Sequence, residues 1–426
     1  MAEVKAFGAL RFTDKAGEIS ELVCPPYDII SEDERKAYIS QNEANIIRLE
    51  LPREGTDPYA TAGETFKSWL DDGIIACDNE DAFYIYEEEF EVFGQIKKLK
   101  GIIGRIKLES FDKGVVLPHE ETLSKAKADR FNLMSATGCN FSSVYSLYFD
   151  EKQEAFSRIE KLSSGKADVE FTSSADGIIH RMWIVTDKAE IAALSKFFAD
   201  KKLYIADGHH RYQTALNYQQ HLIDSGTVTD ASHPANYIMM TLVNMEHPGL
   251  VVFPTHRLVR SLESFDAEKL IADCAAYFSA ETATIADTQA KLDEAAKAGK
   301  KAFALYHDKK VTLLTLTDTN VMAEMLPEMS AAYCNLDVSI LHTLVLERIL
   351  GIDKENMANQ KNLIYIRDMA DVIAAVDKGE GNCGFIINPT LVDEIAAVAG
   401  AGEKMPQKST YFYPKLITGH VMNKIL

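Results

Sequence analysis

The stretch Lys202–Gln220, KLYIADGHHRYQTALNYQQ, constrains this chain more than any other. Leu203–Ala206 is a short apolar run that stops at Asp207-Gly208, and His209-His210-Arg211 follow at once. From Tyr212 the spacing turns helical, with Tyr212, Ala215, Leu216 and Gln219 on one face. A buried strand, a glycine turn and a helix opening directly afterwards make a layout that receives anions. The first helical N–H groups lack intrahelical acceptors, and the helix dipole is positive at that end. Gly208 lets the backbone approach a ligand, and Arg211 adds a planar fork of donors. Thr214, one turn on, offers a phosphate a hydroxyl. Asp207 can hold Mg2+ or act as a base, and either histidine can carry a proton. The same residues also fit an ordinary strand–turn–helix join, with Asp207 as a cap and the histidines solvated.

At 426 residues the chain exceeds what one core usually organises, so two domains, or one with large insertions, are expected. Lys and Arg number 45 against 64 Asp and Glu, a formal charge of −19. Such a surface repels a phosphate backbone and argues against nucleic acid as a partner, while a small anionic substrate suits a locally basic pocket. The six cysteines are scattered without a CxxC pair and read as reduced thiols. The opening MAEVKAFGALRF has no apolar signal core, and no run nears the roughly 18 apolar residues of a membrane span. A cytoplasmic protein without a membrane partner is expected.

Along the chain, Ser31 and Glu34 make a capping box for a helix to about Ser40, and Asp57-Pro58 caps another through Trp69. NIIRLEL at 45–51 alternates as a strand would, and 82–109 reads as a long hairpin around Gly94. LPHEETLSKAKADR at 117–130 is polar-rich, with a helix expected from near Glu120. It reads either as a solvated face with intrahelical pairs or as a catalytic carboxylate, Glu120 or Glu121, beside phosphate-binding cations. His119, Lys125 and Arg130 are its candidate substrate contacts.

Strands are expected at 181–186, 237–244 and 250–253, the last ending at Pro254-Thr255-His256-Arg257. A His-Arg pair just past a strand is where open α/β sheets hold ligands, so His256 and Arg257 join the candidates. Residues 264–317 read as an added module, 336–350 as an amphipathic helix, and 363–399 as a βαβα run. In the aromatic tail at 405–420, Lys408, Ser409 and Thr410 form a candidate phosphate group.

Gly379 to Gly384 spells GxGxxG, yet it follows a helix and precedes a strand, the reverse of the dinucleotide order. GxxxxGK[ST], GxSxG, HExxH and the EF-hand loop do not occur.

The run Ala206–Tyr212 resembles the nucleotide-contacting motif of the ParB/sulfiredoxin superfamily, in the DGHHR form of ParB-like free-serine kinases. Nearly the whole chain also resembles the bacterial domain-of-unknown-function family 1015. The segments that carry this are CPPYDII at 24–30, HEETLSKAKADR at 119–130, YIADGHHRY at 204–212, PTHR at 254–257 and MPQKSTYFYPK at 405–415. The resemblance implies a mixed α/β fold, with a ParB/sulfiredoxin-like core at 1–260. A C-terminal α/β region at 261–426 would have its tail, 405–420, packed back on that core. It implies a kinase moving a phosphoryl group from ATP or ADP to the hydroxyl of free L-serine or a similar metabolite, with Mg2+. Asp207 and His210 would be catalytic or metal-orienting, and Gly208, His209 and Arg211 would cradle phosphates; Thr214, Arg257, Lys408, Ser409 and Thr410 join the phosphate candidates on the reading of the residues themselves. A small-molecule substrate and a nucleotide are the partners expected, with a homodimer left open. Phosphoserine hydrolysis at the same site and a non-catalytic nucleotide-binding regulator are the alternatives. Sulfiredoxins carry a cysteine before the His-Arg pair, but here the residue is His209, so redox chemistry is not expected.

Overall fold

The computed structural model describes residues 2–120, 122 and 124–426, apart from the side chains of Ser124 and Lys125. The fold is mixed α/β and divides into two compact units. Unit 1 comprises Met1–Pro118, Thr122–Val251 and Pro414–Leu426; unit 2 comprises His119–Glu121 and Val252–Tyr413.

Unit 1 contains the helices α1 (Glu32–Gln41), α2 (Ile47–Glu50) and α3 (Pro58–Asp71). The capping box at Ser31 and Glu34 is formed, and Asp57 caps α3 with Pro58 in its first turn, as the sequence predicts. Helix α2 overturns the strand expected at 45–51. Consecutive residues Ile46 and Ile47 are both buried with Phe66, Trp69 and Phe141, which a strand, facing them to opposite sides, does not arrange. The Asn45 side chain accepts from the Ile47 amide at 2.9 Å and fixes the turn.

The main sheet of unit 1 is built from β1 (Phe83–Val92), β2 (Gln95–Lys107), β3 (Val116–Leu117), β4 (Val144–Tyr148), β5 (Val169–Thr172), β6 (Ile179–Val185), β7 (Leu203–Asp207) and β8 (Tyr237–Asn244). Their order is β3-β7-β4-β8-β2-β1-β6-β5, and the short Val4–Lys5 strand pairs with β2. Pairings β3–β7 and β4–β8 are parallel and the others antiparallel. Against this sheet lie α4 (Ser124–Thr137), α5 (Lys188–Phe198) and α6 (His209–Asp224). Helix α4 starts later than the sequence suggests. Leu194 and Phe198 of α5 and Tyr212, Ala215, Tyr218 and Leu222 of α6 enter one core with Phe83, Ile85 and Ile205. Burying each large side chain contributes roughly 1.5–3 kcal/mol.

Unit 2 holds a six-stranded antiparallel sheet. Its elements are β9 (His256–Val259), α7 (Ala267–Cys274), β10 (Phe278–Ala283), α8 (Thr288–Lys297), β11 (Ala302–His307), β12 (Lys310–Leu316), β13 (Leu363–Ile366), α9 (Met369–Asp377), β14 (Cys383–Ile386) and α10 (Val392–Gly400). The strand order is β10-β12-β11-β14-β9-β13. Residues 264–317 are therefore no separate module, because β11 pairs with β14 in the middle of the sheet. The helix expected at 336–350 is a short α-turn, Asp337–Ile340, running into a π-helix, Leu341–Glu347, and its Val338, Ile340, Leu341, Leu344, Val345 and Leu346 are buried. Among the described residues no helix is long and apolar enough to cross a membrane. All six cysteines are free thiols.

Candidate functional site

Strand β7 is buried from Leu203 through Ala206, and its ladder to β4 slips between Ile205 and Asp207. Such an irregularity re-aims the side chain that ends the strand. Gly208 then takes φ +92° and ψ 26°, a left-handed conformation that favours glycine. A Cβ there would lie 3.0 Å from Nε and Nη2 of Arg211, so the turn is closed over that guanidinium. Helix α6 runs 16 residues from His209, with no side-chain cap at Gly208.

Around this turn unit 1 gathers charges. Arg211 donates from Nη2 to Asp207 Oδ2 at 2.6 Å and from Nη1 to the Ser143 carbonyl. Lys415 donates to the other oxygen, Asp207 Oδ1, at 2.6 Å. Burial alone would raise the Asp207 pKa, but Lys415 and then Arg211 overcome it and hold the carboxyl far below the usual range. Beside them, Glu50 of α2 is buried and accepts from Ser142 Oγ at 2.9 Å, with Arg130 Nη1 3.3 Å away. Burial raises the Glu50 pKa against the pull of Arg130 and Arg211. Arg130 donates from Nε to Asp129 at 2.8 Å and lies 3.9 Å from the Tyr27 ring centroid. Glu50, Arg130, Ser142 and Arg211 line a small cavity of about 30 Å³, room for one water.

Of the residues singled out from the sequence, Asp207, Gly208, Arg211 and Arg130 come together here, and His209 and His210 open α6 above them. Thr214 does not join them. It is fully buried, and its hydroxyl donates to the Lys127 carbonyl at 3.4 Å. Glu121 and the Lys125 side chain lie outside the described residues. Spacing along the chain points to neither Glu50 nor Lys415 as a site residue. The strand reading of 45–51 hid Glu50, and only tertiary packing carries Lys415 to Asp207.

Unit 2 assembles the other candidates by itself. His119 Nε2 meets Thr410 Oγ1 at 3.0 Å, the Met405 amide donates to the His119 carbonyl at 2.8 Å, and the Lys408 amide donates to Glu120 Oε1 at 3.0 Å. Ser409 is turned inward, its hydroxyl on the Pro406 carbonyl. His256 and Arg257 differ from expectation: they begin β9, and both are buried. Arg257 donates to His342 Nε2 at 3.1 Å and to the carbonyls of Thr255 and Lys408. Burial lowers its pKa to about 10, and it lowers that of His256 to about 4 with help from Arg257. Arg257 thus shapes the 405–410 backbone as an interior donor.

The donor set does not fit a magnesium ion held by protein groups. Both Asp207 oxygens are engaged by cations, and among the described residues no three His, Cys, Asp or Glu stand together at metal-holding spacing.

No curated protein matches the sequence. Among solved structures, the chain is similar to a conserved hypothetical protein from Pyrococcus furiosus (14% identity, 73% of this chain and 90% of that one, TM-score 0.34). It is also similar to a free serine kinase variant in complex with ADP (13%, 73% and 87%, TM-score 0.36) and to C-terminally truncated SbnI from Staphylococcus aureus (11%, 75% and 86%, TM-score 0.37). Similarity at these levels assigns no activity. The model of the family described as "Protein of unknown function (DUF1015)" matches residues 4–339, and the chain belongs to that family.

Proposed function

We propose that the protein is a small-molecule phosphotransferase that uses a nucleotide donor and a hydroxylated acceptor, free L-serine first among acceptors. The observation that carries this reading is the start of α6. A 16-residue helix without a side-chain cap opens at a left-handed glycine, with Arg211, Lys415 and Arg130 gathered beside it. Phosphoryl transfer needs chiefly positioning and a positive field, and both are what such a mouth supplies.

In this reading Asp207 is a positioning residue that fixes Arg211 and Lys415. Glu50 is the candidate base, since burial raises its proton affinity toward the range where a general base works. His210, half-buried in the first turn of α6, is the candidate proton carrier. No step is assigned to a metal ion.

The test is purified protein incubated with L-serine and ATP or ADP, followed by phosphorus NMR. Phosphoserine formation supports the kinase, and phosphate released from added phosphoserine supports the hydrolytic direction. Neither product, with a range of hydroxylated acceptors, would overturn the reading. Glu50→Gln is expected to lower kcat by about 100-fold with KM little changed. Glu120→Gln and Lys408→Ala test whether the His119–Lys408 group of unit 2 takes part in the same turnover.

A further inference from the structure

A cavity of about 510 Å³ in unit 1 lies against Phe12, Leu22, Tyr86, Phe171, His180 and His420. Its floor is polar and its hydrogen bonding incomplete. On adjacent strands β1 and β6, Glu88 sits opposite His180, and Tyr86 Oη lies 3.0 Å from Glu88 Oε1 and 2.7 Å from His180 Nδ1. His180 is 1% exposed and His420 6%. Yet His180 Nε2 and Glu88 Oε2 have no hydrogen-bond partner, and His420, apart from a backbone contact at Ile417, leaves a ring nitrogen unpaired. Buried polar atoms are nearly always paired, and unpaired nitrogens on two rings that line one cavity call for a ligand that completes them.

The chemistry of the floor selects the ligand. Burial holds His180 and His420 unprotonated, at about 4 and about 3, and it keeps Glu88 protonated, at about 8. The floor therefore offers donors and acceptors without net charge. At the rim, Arg11 is spent on Asp78 in a two-pronged pair of 2.8 and 2.7 Å, and Arg181 on Glu87, Glu89 and Glu170. Neither guanidinium is left to hold a phosphate or carboxylate. One wall is a stack of rings, with Phe171 on His180 at 4.9 Å and 22°, His180 on Tyr86 at 5.9 Å and 11°, and Tyr86 by His420 at 4.5 Å. A planar heterocycle can extend such a stack at its open end while ring-edge donors and acceptors fix it. The volume admits one of nucleoside size. In the sheet, β1 lies four strand positions from β7, about 19 Å at ordinary strand spacing, so this is not the Asp207 mouth.

We propose that this cavity is a second binding site, for an uncharged planar heterocycle of nucleobase or nucleoside size, completed by His180 and His420. The test is calorimetric titration of the full-length protein with adenosine, guanosine, cytidine and uridine, each beside its 5′-monophosphate. Three variants accompany it: His180→Phe, which keeps the stacked ring and removes the nitrogens, His420→Leu, and the milder Tyr86→Phe, which preserves core volume. At least one nucleoside is expected to bind saturably in the submillimolar range. Losing one floor hydrogen bond should weaken it about tenfold in each variant whose circular dichroism matches the parent. The proposal is overturned if no nucleoside saturates, or if the nucleoside binds the variants as well as the parent. It is equally overturned if a monophosphate binds as tightly as its nucleoside and loses as much in His180→Phe.

Discussion

The sheet of unit 1 buries polar groups in two opposite ways. At the end of β7, Asp207 keeps its charge because Lys415 and Arg211 surround it. On β1 and β6, Glu88 and His180 have no oppositely charged partner, and burial strips their charges instead. The difference follows from what is available in each place. A carboxylate with two cations within 2.6 Å gains more from Coulomb attraction than it loses in desolvation, whereas a carboxyl beside a tyrosine and a neutral histidine is cheaper to protonate. The first cluster keeps its ions and pairs them with one another, and the second keeps none.

The comparison breaks most severely at Arg211. Arg211→Met leaves Asp207 with one cation and the Ser143 carbonyl without its donor. We expect a loss of about 3–5 kcal/mol in urea unfolding. A loss below about 1 kcal/mol would mean that the pair is solvated and contributes as a surface bridge does. Gly208→Ala comes next, since a side chain at φ +92° also presses on the guanidinium; about 2–3 kcal/mol is expected by the same measurement.

The neutral cluster is sharpened by pH. His180 and His420 take protons near 6.5 when unfolded but only at about 4 and about 3 when folded. The unfolded chain therefore holds the extra protons in that window, and the stability present above pH 6.5 is lost as pH falls. Glu88 acts in the other direction: folded, it keeps its proton to about 8, against 4.5 unfolded. Its contribution is full below pH 4.5 and is lost as pH rises toward 8. With two histidines against one carboxyl, the unfolding midpoint should peak near pH 6.5. His420→Leu should flatten the acid limb and Glu88→Gln the alkaline one; unchanged limbs would show that the cluster is hydrated. The smallest effect is Tyr86→Phe, about 1 kcal/mol in the same unfolding experiment, because one hydroxyl serves both Glu88 and His180.

Local elements were legible where a short-range rule governs them. The hairpin at 83–107, the caps at Ser31 and Asp57, and the strand–turn–helix at 203–224 follow from spacing and from residues that bond their own neighbours. Half of the charged site was visible too, because Asp207, Gly208 and Arg211 are adjacent along the chain. Glu50 escaped, since Ile47, Leu49 and Leu51 alternate like a strand although burial of both Ile46 and Ile47 makes a helix. The pair Tyr86 and Glu88, two apart on a strand, was a faint signal of a polar face, but nothing local ties it to residues 180 and 420.

The amino-acid order alone thus settled where chain direction changes, which segments are periodic, and that one glycine turn opens a helix among polar groups. Those outcomes depend on bonds made within a few residues. Packing decided the rest: that Lys415 reaches Asp207, that Arg257 is an interior donor, and that His180 and His420 line one cavity with Glu88 paired behind His180. Such partners are hundreds of residues apart in some cases, and their protonation depends on burial and neighbouring charge, which exist only once the chain has folded.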